Sequence, residues 1–261
     1  MMTTIAIGDV HGRADLLEPL LDLISNRYGD ARIVFLGDII DRGPDSKECL
    51  EMVREELARN PASALILGNH EDLMLRFVDY GLDGSRSWCW NGGLATVASY
   101  GYHHFEFMGD DGYLQLPDQL ADIFRAEQTS HIALIRKAVA AVELPDFLLV
   151  HAGIVPGVPM DQQDPYQLRW NSKDLIAYDG PLPKTVVHGH KVTATLFPEV
   201  YSNRIAIDCG AYESGVLCAV VLDDSARSFI LSTAAAGCYE IETPRPSRPM
   251  SSLRLPFALT A

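Results

Sequence analysis

Cysteine is scarce in this 261-residue chain: Cys49, Cys89, Cys209, Cys218 and Cys238 are scattered, odd in number and form no CxxC pair. Such a set argues against a disulfide framework and a thiolate zinc site, and leaves each thiol as a small buried or half-buried hydrophobe. Positive charge is also thin, with 21 Lys and Arg against 35 Asp and Glu and a formal net charge of −14. Binding along a nucleic-acid backbone needs clustered cations, so nucleic acid is not the expected partner, and an anionic membrane surface is disfavoured for the same reason. No apolar run is long enough to span a bilayer. No basic segment followed by an apolar one precedes the first strand-like run, so no signal peptide is expected and the cytoplasm is the expected compartment.

What is present is a core. An apolar fraction of 48% suits a globular protein, and the length allows one large α/β domain or two small ones. The most informative stretch is Ile33 to Pro44, IVFLGDIIDRGP. A buried-strand pattern, Ile33-Val34-Phe35-Leu36, stops at Gly37 and delivers Asp38, Asp41 and Arg42. The layout recurs. Thr4 to Ile7 leads into Asp9 and His11, Ala64 to Leu67 into Asn69, His70 and Glu71, Phe147 to Val150 into His151, and Thr185 to Val187 into His188 and His190. Helical spacing of Leu16, Leu17, Leu20, Leu21 and Ile24, and then of Leu50, Val53 and Leu57, separates the first three runs. Asp15 and Glu18 are a candidate capping box, and Pro19 falls near the first turn. A β-α-β-α-β order predicts a parallel sheet, and the carboxyl ends of its strands form the rim where ligands bind.

Residues 72 to 144 read differently. Helix-like patches (Leu73 to Tyr80, Leu120 to Phe124, His131 to Val142) alternate with Gly-rich and aromatic pieces. A long segment between two chemistry-bearing strands often walls a pocket, so Trp88 to Gly93 is either a site wall or part of an outer layer. From Asp146 the chain reads as β-rich. Arg204 to Ile207, Gly215 to Leu222, Ser228 to Ser232 and Tyr239 to Glu242 suggest an antiparallel meander. The expected organisation is one catalytic domain over 1–242, with two sheets packed together and helices outside, followed by a loosely ordered tail over 243–261.

Carboxylate, imidazole and amide oxygen together suit a hard or borderline divalent metal such as Mn, Fe or Zn. Asp9 and His11 can face one ion, Asp38 can bridge two, and Asn69, His151 and His190 would complete a second site. A pair of such ions can activate water and stabilise both oxygens of an in-line displacement. Each residue alone is weak evidence, since a lone His after a strand is more often structural; the set is strong. Arg42 fits bidentate contact with phosphate rather than a surface ion pair. His70, beside Asn69 but not itself a ligand, is a candidate general acid, with Asp41 holding its second ring nitrogen.

The segments GDVHGR (Gly8 to Arg13), GDIIDRG (Gly37 to Gly43), GNHE (Gly68 to Glu71), HAG (His151 to Gly153) and HGH (His188 to His190) resemble, in order, the motifs of the metallophosphoesterase superfamily. Within it the chain resembles the bacterial and phage phosphoprotein phosphatases of the phage lambda phosphatase type. WNGGLATVASYG and the DCGA at Asp208 to Ala211 look like that group too. The resemblance implies an α/β fold, a calcineurin-like sandwich of two central mixed β-sheets flanked by helices. It implies two divalent ions, manganese by preference, with Asp9, His11 and Asp38 on the first and Asp38, Asn69, His151 and His190 on the second. It implies His70 as the acid oriented by Asp41, and Arg42 as a phosphate ligand. The family's second phosphate-binding arginine is missing: Ser172 stands at its place, and Arg169, or less suitably Lys173, is the candidate substitute.

The leading reading from sequence is a phosphomonoesterase acting on phosphoserine or phosphothreonine, with phosphotyrosine as an option, in a protein or peptide. The nearest alternative is a symmetrical dinucleoside polyphosphate hydrolase on the same scaffold. Those enzymes typically lack the Asp of DRG and carry Asp after GNH, so Asp41 and Glu71 favour the protein phosphatases. A catalytically dead phosphoprotein scaffold would need a broken ligand set, and all six ligand positions are intact.

Overall fold

The structure, a computed structural model, describes residues 3–222 and 227–243. Chain order runs β1 (Thr4–Ile7), α1 (Ala14–Tyr28), β2 (Arg32–Phe35), α2 (Ser46–Arg59), β3 (Ala64–Leu65), and then α3 (Asn69–Tyr80), α4 (Leu82–Trp90) and α5 (Gly93–Ser99). A small hairpin, β4 (Phe107–Met108) and β5 (Leu114–Gln115), precedes α6 (Asp118–Glu127) and α7 (Thr129–Arg136). Next come β6 (Ala141–Glu143), β7 (Phe147–Val150), α8 (Pro165–Trp170), α9 (Lys173–Ile176), β8 (Thr185–His188), β9 (Glu199–Val200) and β10 (Arg204–Ala206). The described chain closes with α10 (Ala211–Ser214), β11 (Val216–Leu222), β12 (Arg227–Thr233) and β13 (Gly237–Thr243).

Among the described residues, a six-stranded sheet has the order β13-β12-β11-β1-β2-β3, and a five-stranded sheet has the order β6-β7-β8-β10-β9. Both are mixed: β1, β2 and β3 pair in parallel while β1 meets β11 antiparallel, and β7, β8 and β10 pair in parallel between antiparallel edges. The period of two along each strand explains the layering. Ala6, Val34, Leu36, Val220, Leu149, Val187 and Ile205 fill the space between the sheets, whereas Ile5, Ile7, Ile33 and Phe35 face helices α1 and α2 through Leu17, Leu20, Leu50 and Val53. On the far side of the second sheet, Leu148, Val150 and Val186 pack on Leu168 and Leu175 of α8 and α9.

The α/β sandwich expected from sequence is the observed one, with local corrections. The helix expected to open at an Asp15–Glu18 box starts at Ala14, so Asp15 lies inside its first turn and binds Arg13 instead of capping. Pro19 lies within α1, which continues past it to Tyr28. The helix expected to reach Val142 ends at Arg136, and Val142 belongs to β6. The aromatic, Gly-rich segment around Trp88 is helical, in α4 and α5, which meet at Gly92. Arg204 to Ala206 is not part of the final meander: β10 joins the second sheet beside β8, and only β11, β12 and β13 form the meander. Thr243 ends β13, and the rest of the expected tail lies outside the described residues.

Candidate active site

Because β1, β2 and β3 run parallel, their carboxyl ends fall on one rim, and β7 and β8 bring theirs to meet it. The join is made by hydrogen bonds: His151 Nδ1 lies 2.8 Å from the Leu36 carbonyl, and the His190 amide donates to both Asp9 oxygens at 3.1 and 3.0 Å. The loops cross tightly. A Cβ on Gly68 would stand 2.3 Å from Asp38 Oδ1, and one on Gly189 would stand 2.0 Å from Asp9 Oδ1, so only glycine fits at either place. His11, Asp38, Asp41, Arg42 and His190 all have positive φ; among the described residues only His104 and Leu196 share that trait outside glycine. Such backbone is costly and concentrates where function fixes geometry.

Asp9, His11, Asp38, Asn69, His70 and His151 are buried, and His190 is partly so. Ligand-type atoms of His11, Asp38 and His70 lie within 4.8 Å of one another, as do those of Asp38, His151 and His190. Asp38 divides its oxygens between the two groups: Oδ1 faces His151 Nε2 at 3.4 Å, and Oδ2 faces His11 Nε2 at 3.7 Å and His70 Nε2 at 3.8 Å. Asn69 Oδ1 sits 2.9 Å from His151 Nε2 and 2.8 Å from His190 Nδ1. Asp9 is in neither of these two groups; its carboxylate accepts the backbone amide of His190.

This donor set fits divalent cations. His11 and His151 each direct Nδ1 at a backbone carbonyl, that of Ile40 at 2.9 Å and that of Leu36 at 2.8 Å. A carbonyl can only accept, so Nδ1 carries the proton and Nε2 presents its lone pair to the cluster. At His151 that lone pair meets the oxygens of Asn69 and Asp38, which are acceptors as well. Converging lone pairs need a cation or a proton between them. Burial pushes His11 down to about 3, and burial with the nearby His151 pushes His190 down to about 4, so both are neutral imidazoles. For His151 burial opposes the charge, but Asp38 outweighs it and raises the group to about 10. Burial likewise works against an ionised Asp38, and the surrounding His151, His70 and His11 hold it well below the usual carboxylate range all the same.

His70 Nδ1 lies 2.7 Å from Asp41 Oδ2. Burial disfavours a charged imidazole there, yet Asp38 and the Asp41 contact prevail and raise its pKa. Asp41 is itself built in. Trp88 Nε1 donates to both its oxygens at 3.0 Å, and the Thr96 hydroxyl donates to Oδ1 at 2.6 Å. The Asp41 amide donates to Ser46 Oγ and Thr96 Oγ1, each at 3.0 Å. The segment suspected of walling the site, Trp88 to Gly93, therefore reaches it through Trp88; Thr96 lies just beyond that segment, inside the WNGGLATVASYG string, which carries no sign of its contact with Asp41. Glu71 is a further partner: its carboxylate accepts from the amides of Asp38 at 2.8 Å, Ile39 at 2.7 Å, Ile40 at 3.4 Å and Gly68 at 3.2 Å, and so fastens one motif loop to another.

Arg42 is exposed at the mouth, with Nη1 3.0 Å from His11 Nε2. Arg169 is elsewhere engaged. Its guanidinium binds Asp72 Oδ1 at 3.1 Å and the Pro165 carbonyl at 2.9 Å, and among the described residues it makes no hydrogen bond to the cluster. Asp72 also holds Arg76, at 3.1 Å.

Among curated relatives, a symmetrical bis(5'-nucleosyl)-tetraphosphatase of Coxiella burnetii (strain Dugway 5J108-111) is 32% identical over 177 residues, 67% of this chain and 46% of that protein. A symmetrical bis(5'-nucleosyl)-tetraphosphatase of Methylococcus capsulatus is 28% identical over 188 residues, 72% of this chain and 52% of that protein. The matches thus span about half of these relatives' length. A crystal structure provisionally named a diadenosine tetraphosphatase aligns with a TM-score of 0.59 at 18% identity, covering 92% of this chain and 93% of the other. At that identity the likeness concerns the fold alone. Among the described residues no helix is long and apolar enough to cross a membrane. The sequence pattern of the calcineurin-like phosphoesterases matches residues 2–214, well over half of the sequence, and the chain belongs to that family.

Proposed function

We propose that this protein is a dinuclear, divalent-metal-dependent hydrolase whose substrate is a dinucleoside polyphosphate, cleaved symmetrically. The observation that carries the substrate class is the similarity to two symmetrical bis(5'-nucleosyl)-tetraphosphatases. The reading from sequence alone preferred a phosphoprotein; those relatives move the preference to the alternative. In the proposed arrangement His11 and Asp38, with Asp9 nearby, hold one ion, and Asp38, Asn69, His151 and His190 hold the other, manganese in first place with iron or zinc as options. Bound there, the ions would activate water and neutralise charge on the phosphoryl oxygens. Arg42, at the mouth, offers a planar pair of donors to the phosphoryl group under attack. His70, kept in orientation by Asp41, holds a proton at Nε2 for the departing oxygen. Water adds across one P–O–P link, and a tetraphosphate gives two nucleoside diphosphates.

One observation favours a second reading, a phosphomonoesterase acting on phosphoserine, phosphothreonine or phosphotyrosine. A nucleoside diphosphate leaves as a stabilised anion and has little need of a proton, whereas a serine alkoxide needs one. The buried His70–Asp41 pair, with Trp88 and Thr96 behind it, is suited to the harder leaving group. The two readings separate in one assay. Diadenosine tetraphosphate, phosphoserine, phosphothreonine and phosphotyrosine peptides, and p-nitrophenyl phosphate are turned over side by side with added manganese, with products resolved by chromatography. The proposal expects the dinucleotide to have the highest specificity constant and to yield ADP alone. A higher constant for a phosphopeptide, or AMP with ATP as products, would overturn it.

A further inference from the structure

Arg42 lies between two walls. On one side its amide donates to the Gly92 carbonyl at 3.3 Å, and a Cβ on Gly92 would stand 3.0 Å from Arg42 Cγ, so backbone packs against the stem of the side chain. On the other side the guanidinium carbon lies 4.6 Å from the ring centroid of Tyr212, a half-buried residue of α10. The same ring meets His11 edge-on, with centroids 5.3 Å apart and planes at 83°. The turn that carries Tyr212 is anchored in its turn: Arg13 Nη1 donates to the Ala211 carbonyl at 2.7 Å. Thus α10, which lies far along the chain, reaches both Arg13 and Arg42, one from each of the first two motif loops.

A guanidinium on the face of a phenol ring is attracted by the ring quadrupole, and contact with the ring restricts where the planar fork can point. An exposed Arg otherwise samples many rotamers and loses that freedom when it grips an anion. We propose that Tyr212 is a positioning residue for phosphoryl binding: it holds the Arg42 fork in place over the His11 side of the cluster without touching the phosphate itself. The inference rests on the reading of Arg42 as a phosphate contact and deepens it. It assigns the work to the aromatic ring rather than to the hydroxyl, because the distances that define the contact are ring distances.

The test uses the full chain with manganese and inorganic phosphate as the probe. Phosphate affinity is read as a competitive inhibition constant and, independently of turnover, by calorimetric titration, with bound manganese measured in every variant. Tyr212→Leu is expected to weaken phosphate about two- to fivefold, the range of an exposed cation–π contact. The Michaelis constant should rise accordingly and the turnover number should change little, with manganese content at the parent level. Tyr212→Phe, which keeps the ring, is expected to retain phosphate affinity close to that of the parent. In an Arg42→Ala background the Leu substitution should have no further effect, since the arginine it acts through is gone. Loss of phosphate affinity in Tyr212→Phe as large as in Tyr212→Leu would overturn the proposal, and so would a Leu effect that persists undiminished without Arg42. If Arg42→Ala weakens phosphate and Tyr212→Leu does not, the positioning role fails while the reading of Arg42 stands. If Arg42→Ala leaves phosphate affinity intact, both fall together.

Discussion

His70 and Asp41 come from different motif loops, yet Nδ1 of the first lies 2.7 Å from Oδ2 of the second, with both side chains shielded from solvent. The ring is thereby fixed in orientation with Nδ1 toward Asp41, and Nε2, which carries the second proton of the charged ring, faces Asp38 Oδ2 at 3.8 Å. An acid placed in this way matters in proportion to how badly the leaving group needs a proton.

His70→Asn tests that role. General acid catalysis is worth about 10²–10⁴-fold, or roughly 3–5 kcal/mol of barrier. The variant should lose most of that factor on a phosphoserine peptide and much less on p-nitrophenyl phosphate or a dinucleoside tetraphosphate, whose leaving groups are stable anions. Bound metal should stay at the parent level. Loss of one ion would instead make His70 a ligand, a role its place within 4.8 Å of His11 and Asp38 also permits.

Trp88→Phe removes the indole N–H that meets both Asp41 oxygens, while keeping a large aromatic ring against Phe77 and Phe124. Asp41 keeps Thr96 and His70 but loses one buried donor. Leaving a buried carboxylate short of a partner costs about 1–3 kcal/mol. Denaturant titration should show a loss in that range, and activity should fall with the His70 leaving-group pattern in milder form. Equal losses on all substrates would mean that Trp88 shapes the pocket rather than supporting the dyad.

The sequence disclosed the strands and their terminal ligands because each apolar run ended in the same kind of residue, and one rim followed from parallel order. It did not disclose Thr96 or Tyr212. Both act through partners dozens of residues away, Asp41 for Thr96 and Arg42 with His11 for Tyr212, and a local pattern cannot encode such pairings. The Arg169 expectation came from position in a loop. In the structure Asp72, one helical turn beyond Asn69, holds that guanidinium. The placement of β10 beside β8 rather than in the meander has a related reason. Its three residues, all buried, read equally well as a meander strand or as a neighbour of β8, and only pairing decides.

Glu71→Gln should be damaging out of proportion to its size. The carboxylate accepts from four backbone amides, with both oxygens in use. A glutamine offers one accepting oxygen and turns an NH2 group toward amide donors, so at least one donor is left unpaired inside the protein. At about 1–3 kcal/mol for each such group, the fold should lose at least that much stability. The loop bearing Asp38 should loosen as well, and manganese affinity should fall. Unchanged melting and unchanged metal content would show that the amide cradle does not position the loop.

Metal uptake should be coupled to a proton at His151. Its Nδ1 is held by the Leu36 carbonyl, and its Nε2 faces the oxygens of Asn69 and Asp38. Burial opposes the charged ring, but Asp38 prevails and raises it to about 10 in the protein without metal. Below that value Nε2 holds a proton, and a cation can bind there only by displacing it. Manganese added to the chelated protein should therefore release close to one proton from this group, and its apparent affinity should rise by about tenfold per pH unit until pH approaches the folded value. Titration in buffers of differing ionisation enthalpy measures the release directly. Asp38→Asn removes the charge that raises His151, so the ring should be mostly neutral near pH 8. Proton release should then fall toward zero, and the ions should bind more weakly at both positions because each uses one oxygen of that carboxylate. Manganese binding by the parent with no proton released would rule out a protonated His151, and parent-level affinity in Asp38→Asn would remove Asp38 from both groups.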